Sequence, residues 1–263
     1  VYRSADIVVV DIPLDLPFLE NKPELRFNEF TDSLKTVFEQ VKSGALVVIE
    51  TTVPPGTCEK VVKPLLEKEL EKRGLPEDAV HLAHSFERVM PGEEYLDSVV
   101  NYWRVYAGNT DIAAQQCEEF LSNVINIEKF PLTRLSSLTA SETTKVLENT
   151  YRAANIAFIQ EWTEYSEEIG IDLYEILDAI RVRPTHSNIR FPGIVVGGYC
   201  LTKDPMFAPA AARQLFNLPD AEFPFAELAT KVNQKMPIHC AKKLEKLIGG
   251  KLETKKLLVL GVA

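Results

Sequence analysis

No run of apolar residues in this sequence approaches the length of a bilayer-spanning helix, and its opening residues carry no basic stretch followed by an apolar one. Neither a membrane span nor a secretion leader is expected. Cysteine is scarce: Cys58, Cys117, Cys200 and Cys240 lie far apart, with no CxxC pair and no close histidine. Such spacing suits neither zinc nor a disulfide framework, so we expect no metal and a reducing, cytoplasmic setting. Clustered Lys and Arg are also missing. With 29 basic and 38 acidic residues the net charge is −9, which argues against a nucleic-acid-binding surface. Internal repeats and low-complexity stretches are absent.

What is present is an ordinary globular balance. The 263 residues, 46% hydrophobic and 25% charged, leave room for a buried core and more than one domain. Asp6-Ile-Val-Val-Val reads as a parallel strand covered on both faces, followed by a Pro-containing loop through Pro13. Phe30, Leu34, Val37, Phe38 and Val41 recur at helical spacing, and Gly44 closes that helix. Ala45–Glu50 is a second buried strand; Thr51-Thr-Val-Pro-Pro-Gly-Thr57 turns into a helix running to about Arg73. Further strands are expected at 80–83, 103–107 and 125–130, with a helix between the last two. Strands alternating with helices predict a parallel α/β sheet over the first half.

From about Ser136 the pattern changes. No Gly or Pro occurs between Pro131 and Gly170, and Leu147, Tyr151, Ala154, Phe158 and Trp162 recur at helical spacing. One long helix is predicted, the spine of a helical domain and of a dimer. Helices follow at about 173–181, after Asp204, and at 224–248; Lys256–Ala263 reads as a buried strand. Because the chain opens and closes beside buried strands, we expect an internal piece of a longer protein.

Four segments carry candidate chemistry. In Pro192-Gly-Ile-Val-Val-Gly-Gly-Tyr-Cys-Leu-Thr-Lys-Asp204, paired glycines let the backbone approach a ligand. Cys200 is expected where a helix begins, near Lys203, and both a helix N-terminus and a cation favour the thiolate. Asp204, four residues on, would share a face with Cys200. A cysteine taken at random is more often buried and structural, but this context reverses the odds. On the long helix Glu142, Lys145 and Asn149 form a second group; a Lys and an Asn on one face can donate to a developing oxyanion, though most such residues are solvated surface. His84-Ser-Phe-Glu-Arg-Val-Met-Pro-Gly92 follows a strand, where parallel sheets place ligands; Glu87 is a general base there or a loop carboxylate paired with Arg88. Thr51 and Thr52 also sit at a strand end, within either a cofactor contact or a plain Pro-Gly turn in which Thr57 caps the next helix.

Taken in order, Ala5-Asp-Ile-Val-Val-Val, Thr51-Thr-Val-Pro-Pro-Gly-Thr, Glu87-Arg-Val, Glu142-Thr-Thr-Lys-Val-Leu-Glu-Asn149, Asn155-Ile-Ala and Gly197-Gly-Tyr-Cys-Leu-Thr-Lys-Asp-Pro205 resemble the UDP-glucose/GDP-mannose dehydrogenase family over nearly the whole chain. The Glu-Arg-Val-x-Pro-Gly loop looks more like the branch acting on UDP-linked N-acetylhexosamines. The resemblance implies a fold in three parts. Residues 1–133 would be the second half of a Rossmann-like NAD domain, 134–250 an all-α dimerisation domain, and 251–263 the start of a nucleotide-sugar-binding domain. The GxGxxG loop and the ribose-binding acidic residue are not in this sequence. The implied activity is the four-electron, NAD-dependent oxidation of a nucleotide sugar to its uronic acid, for polysaccharide biosynthesis, in a homodimer. Cys200 resembles the nucleophile; Lys145 and Asn149 the residues steadying the oxyanion and a water; Asp204 that water's partner; Thr52 a contact to it or to the cofactor; Glu87 the group assisting thioester hydrolysis. Pro13, Thr51, Thr52 and Lys203 would face the cofactor, and Glu87, Arg88, Lys145, Asn149 and Gly197 the substrate.

Three positions depart from the pattern: Phe86 stands where proline is usual, Val195 where a glycine often precedes the pair, and Ile12 in place of a common threonine. None removes a group the chemistry needs. Two other readings remain open. A two-electron β-hydroxyacid dehydrogenase has a similar sheet and Lys/Asn pair but no use for Gly-Gly-Tyr-Cys. A non-catalytic oligomerisation module would need neither.

Overall fold

The computed structural model describes residues 1–19, 22–89 and 92–260, and the chain divides into two compact units. The first takes Val1–Val146 and Phe207–Ala221; the second takes Leu147–Met206 and the chain from Glu222 onward.

The first unit begins with β1 (Ile7–Val10), a short antiparallel pair β2 (Phe18–Leu19) and β3 (Lys22–Pro23), α1 (Asn28–Phe38) and β4 (Leu46–Ile49). A π-helical turn, Cys58–Val62, runs into α2 (Lys63–Lys72), followed by β5 (His81–His84), α3 (Tyr95–Val100), β6 (Val105–Gly108), α4 (Asp111–Ser122) and β7 (Thr133–Arg134). The division between units falls inside α5 (Leu138–Ile169). The second unit continues with α6 (Leu173–Arg181); α7 (Phe207–Gln214) belongs to the first unit and α8 (Pro224–Ile248) to the second.

Five strands form one sheet in the order β1-β4-β5-β6-β7. Every residue of β4 is buried, because it pairs in parallel with β1 on one side and β5 on the other, Leu46 lying opposite Ile7 and His81. α1 buries Phe30, Leu34, Val37 and Phe38, the residues whose spacing predicted it. Its end is held by Arg73, whose guanidinium donates to the carbonyls of Phe38 and Val41 at 2.6 Å each, a cation where the helix dipole favours one. α4 starts on Thr110, whose hydroxyl accepts from Ala113 N–H, and buries Ala114, Cys117 and Leu121 against Val48, Ala83 and Tyr106. In the second unit α6 starts on Asp172, which accepts from Tyr174 N–H, and Leu173 and Leu177 pack on Ile159 of α5. Asn233 of α8 donates to the Ala153 carbonyl of α5 at 3.0 Å.

The structure corrects several expectations. β1 is an edge strand with alternate burial: Val8 and Val10 face inward while Ile7 and Val9 stay about two-fifths exposed, at 40% and 41%. The sheet is mixed, since β6 runs antiparallel to β5. No strand forms at 125–130. The Asn126 carbonyl there accepts from both Lys129 and Phe130 N–H, and its side chain bonds Asn101, so local turns satisfy the backbone. Ile125 and Phe130 instead pack beside α4, and Trp103 meets Phe130 edge-on at 4.8 Å. Residues 256–260 take no regular structure, and the rest of that expected strand lies outside the described residues. Among the described residues no helix is long and apolar enough to cross a membrane.

β6 and α4 approach so closely at Gly108 that a Cβ there would lie 2.2 Å from the Ala114 nitrogen, a backbone atom that cannot step aside. Gly108→Ala is expected to destabilise the chain by about 3 kcal/mol through overpacking. Gly250→Ala, where a Cβ meets nothing, serves as the control in urea denaturation.

Candidate active site

β1, β4 and β5 run parallel, so their C-terminal ends and the loops after them share one edge of the sheet, the edge where such sheets bind ligands. Pro13 is exposed on the first of these loops. Thr51, at the end of β4, is nearly buried and its hydroxyl is committed: it accepts from Ile12 N–H at 2.8 Å and donates to the Val10 carbonyl at 3.3 Å. It therefore staples the β1 loop. Thr52 is half-buried, and its hydroxyl makes no hydrogen bond among the described residues.

The turn that follows has few donors, because Pro54 and Pro55 carry no N–H. Thr57 does not cap the next helix; its hydroxyl donates to the Pro54 carbonyl at 2.7 Å. The cap comes from Glu142, 86 residues from Gly56 in sequence, whose two carboxylate oxygens accept from Gly56 and Cys58 N–H at 2.6 Å each. Glu142 is fully buried. Burial pushes its carboxyl up to about 8, against the pull of the N–H donors of Cys58 and Gly56. Gly56 has a φ of 87°, and a Cβ on it would lie 2.7 Å from the Phe216 ring, so only glycine fits.

The loop after β5 is anchored by His84. Its buried ring lies 2.8 Å, Nδ1 to Oγ, from Ser141, and burial lowers its pKa to about 3, so it stays neutral. Phe86 is fully buried. The Glu87 carboxylate folds back to accept from Val89 N–H, while the Glu87 carbonyl accepts from Lys145 Nζ at 2.9 Å. Arg88 is half-buried with its guanidinium against the Phe86 ring. The remainder of the loop, Met90 and Pro91, lies outside the described residues.

In the second unit the segment 192–203 is irregular, and Cys200 is exposed. It does not head a helix: a tight turn at Asp204–Met206 and then α7 follow in the chain. The Cys200 carbonyl accepts from Lys203 N–H at 3.1 Å and Asp204 N–H at 2.9 Å, one tight loop. Asp204 is fully buried, and its carboxylate accepts from Asn149 Nδ2 at 2.7 Å and Lys203 Nζ at 3.0 Å. Lys203 Nζ also stands 4.2 Å from the Tyr199 ring centre. Gly198 takes a left-handed φ of 81°, whereas Gly197 is exposed and open around its Cα.

A model of the NAD binding domain of the UDP-glucose/GDP-mannose dehydrogenase family matches residues 2–126, and a model of that family's central domain matches residues 139–235. The chain belongs to this family. The UDP-N-acetyl-D-mannosamine dehydrogenase of Pyrococcus horikoshii is 35% identical over 233 residues, covering 88% of this chain and 51% of that protein. The NDP-N-acetyl-D-galactosaminuronic acid dehydrogenase of Ralstonia solanacearum is 33% identical over 80% of the chain and 50% of its own length. The solved structure of the UDP-D-ManNAc dehydrogenase from Pyrococcus horikoshii superposes with a TM-score of 0.79 at 29% identity, covering 94% of this chain and 54% of that one. The chain thus spans about half the length of the curated relatives it matches.

Against the family pattern, the structure joins Asn149, Lys203 and Asp204 to the turn that starts at Cys200, and joins Lys145 to the Glu87 main chain. It does not turn the Glu87 carboxylate toward Lys145, and it leaves Pro13, Thr52 and Gly197 without a hydrogen bond to another candidate. The sequence reading singled out Glu142 but missed its function as a clamp. No sequence signal pointed to it, because Thr57 stands in the turn as a ready capping hydroxyl and only the structure shows it spent on the Pro54 carbonyl.

The clamp predicts a pH dependence. The folded Glu142 carboxyl holds its proton up to about 8, above the ordinary carboxylate value of 4.5. Its contribution to stability is therefore full at low pH and is lost as pH rises through about 8. The urea midpoint of the wild type should fall as pH rises from about 4.5 to about 8 and level off above, while that of Glu142→Gln, which has no proton to lose in that range, should change less.

Proposed function

We propose that the protein oxidises the C6 alcohol of a nucleotide sugar to the carboxylate, with NAD as oxidant, through an intermediate held on Cys200. The observation that carries this reading is the buried Asp204 carboxylate, which accepts from Asn149 and Lys203 and whose own N–H is bonded to the Cys200 carbonyl. A fully buried carboxylate fixed by two donors one turn from an exposed thiol is a costly arrangement to keep for packing alone. The other three thiols are held protonated: burial raises the pKa of Cys58 and Cys240, and pushes Cys117 up to about 12.

The residues at the ends of β1 and β4 fit a nicotinamide cofactor: Pro13 is exposed there and Thr52 has an uncommitted hydroxyl, with Thr51 as support. Two molecules of NAD, bound in turn, would each accept one of the two hydrides that the four-electron oxidation releases. Every other task falls to this chain. The alcohol's proton would leave through water beside the Asp204 carboxylate, while Lys145 and Asn149 donate hydrogen bonds to the sugar oxygen as negative charge develops on it. The Cys200 thiolate adds to the aldehyde carbon, which makes a tetrahedral thiohemiacetal from which a second hydride can leave. Water then attacks the resulting thioester, its proton passing to Asp204 or Glu87, and the acid departs as the thiolate is restored. The name of the Pyrococcus horikoshii relative supports a UDP-linked N-acetylhexosamine as the substrate class, and the family resemblance implies a role in polysaccharide biosynthesis.

The same proposal assigns 1–133 to the cofactor domain, 134–250 to a helical domain and 251–263 to the start of a sugar-nucleotide domain. It includes a homodimer, supported by the exposed row Leu147, Tyr151, Phe158, Trp162, Tyr165 and Ile169 on α5, each 48–65% exposed. Phe158, Trp162 and Tyr165 stack edge-on along it. So long an apolar stripe is more than a solvated helix carries. A cytoplasmic setting is supported by four cysteines in no disulfide.

Two experiments test this reading. Wild-type enzyme should release two NADH per sugar, and Cys200→Ala should form no acid while its circular dichroism is unchanged; a Cys200→Ala variant still making acid at near wild-type rate refutes the mechanism. Glu87→Gln should accumulate the sugar on Cys200, visible as added mass on the intact protein. For assembly, Phe158→Glu with Trp162→Glu should turn a dimer into a monomer by light scattering, and a wild type that is monomeric at micromolar concentration removes the dimer from the proposal.

A further inference from the structure

Phe86 stands at the end of β5, at the position where the family pattern leads one to expect proline, and its ring is fully buried. Two cations lie over that ring: Lys145 Nζ at 5.2 Å from its centre and the Arg88 guanidinium carbon at 5.4 Å. Both are within the roughly 6 Å over which an aromatic face attracts a cation. The ring is wholly buried and lies 6.3 Å, centre to centre, from that of His84.

Lys145 makes one hydrogen bond among the described residues, to the Glu87 carbonyl at 2.9 Å. An ammonium on a four-carbon stem can swing about a single bond of that kind. The ring supplies a second restraint of a different sort. It attracts the charge without accepting any of the three N–H donors in a strong hydrogen bond, so the donors that the Glu87 carbonyl leaves over stay available to an oxygen ligand. A carboxylate in the same place would hold the ammonium as firmly but would occupy those donors.

We propose that Phe86 is the positioning residue for Lys145, its ring face and the Glu87 carbonyl together aiming the ammonium at the substrate oxygen. This rests on the role given to Lys145 in the proposed function. Proline would supply neither a face nor a charge-attracting surface.

The test replaces Phe86 with mono-, di- and trifluorinated phenylalanine, which drain charge from the ring face while barely changing its shape. In the enzyme, kcat should fall stepwise with each fluorine, by about tenfold in all, with KM within about twofold; Phe86→Tyr should restore it and Phe86→Leu should lose as much as the trifluoro ring. In parallel, the rate of Lys145 acetylation by an amine-acylating reagent, read by peptide mass spectrometry, should rise severalfold along the same series. A flat kcat or a flat acetylation rate across the series overturns the proposal, even if Phe86→Leu is inactive, because the ring would then be packing only. Should the wild type oxidise no nucleotide sugar, it is the proposed function that fails; a flat acetylation series would still refute the Phe86–Lys145 restraint, and a rising one would uphold it.

Discussion

The Glu142 carboxyl group sits where water cannot reach, with each oxygen taken by a backbone N–H of the turn after β4. Several features depend on that pair of bonds. They cap the helical segment that begins at Cys58, a task its own Thr57 has given up. They fix the shape of the turn, within which Gly56 lies flat against Phe216 of the segment after α7. They also tie the turn to α5, three residues before Lys145, so the β4 end and Lys145 share one anchor. His84 and Ser141 make a parallel tie from β5 to the same turn of α5. The sheet edge is thus built against the start of one helix by two polar contacts, both buried, where low dielectric makes them strong and their loss expensive.

How much of this the sequence disclosed depended on whether the relevant forces were local. α1 and α5 were legible because their apolar residues repeat at helical spacing and breakers are absent from 132–169. β4 was legible as a short run apolar throughout, which is what burial on both faces demands. The same pattern misled at β1, because a run of valines looks alike whether one face or two are covered; that depends on neighbours no window contains. The false strand at 125–130 failed for a related reason. Its Ile125, Ile127 and Phe130 were apolar enough, but Asn126 offered the backbone turn bonds at closer range than any sheet partner. At the site, motif order identified the residues, yet the direction of the Glu87 carboxylate and the long-range grip of Glu142 are facts of three dimensions.

Burial also sorts the titratable groups. His84, Cys58 and Cys117 are kept in their neutral forms by desolvation, which removes them from proton transfer and nucleophilic chemistry at ordinary pH. What remains for reaction are groups at surfaces or groups given specific partners. Cys200 is exposed, Lys145 is seated on a carbonyl and a ring, and Asp204 is buried but doubly bonded. Of the four thiols Cys200, on the glycine-rich segment, is exposed, Cys240 is half-buried and the other two are buried.

The sequence holds only two tryptophans, and the division of the chain gives one to each unit: Trp103 belongs to the first, edge-on to Phe130, and Trp162 to the second, in the aromatic row of α5. The molecule therefore carries a built-in optical reporter for each half. Replacing either indole with phenylalanine leaves the other's emission to follow a single unit through a thermal or chemical melt. Whether the two curves coincide measures how far the halves unfold as one cooperative body, with no label attached.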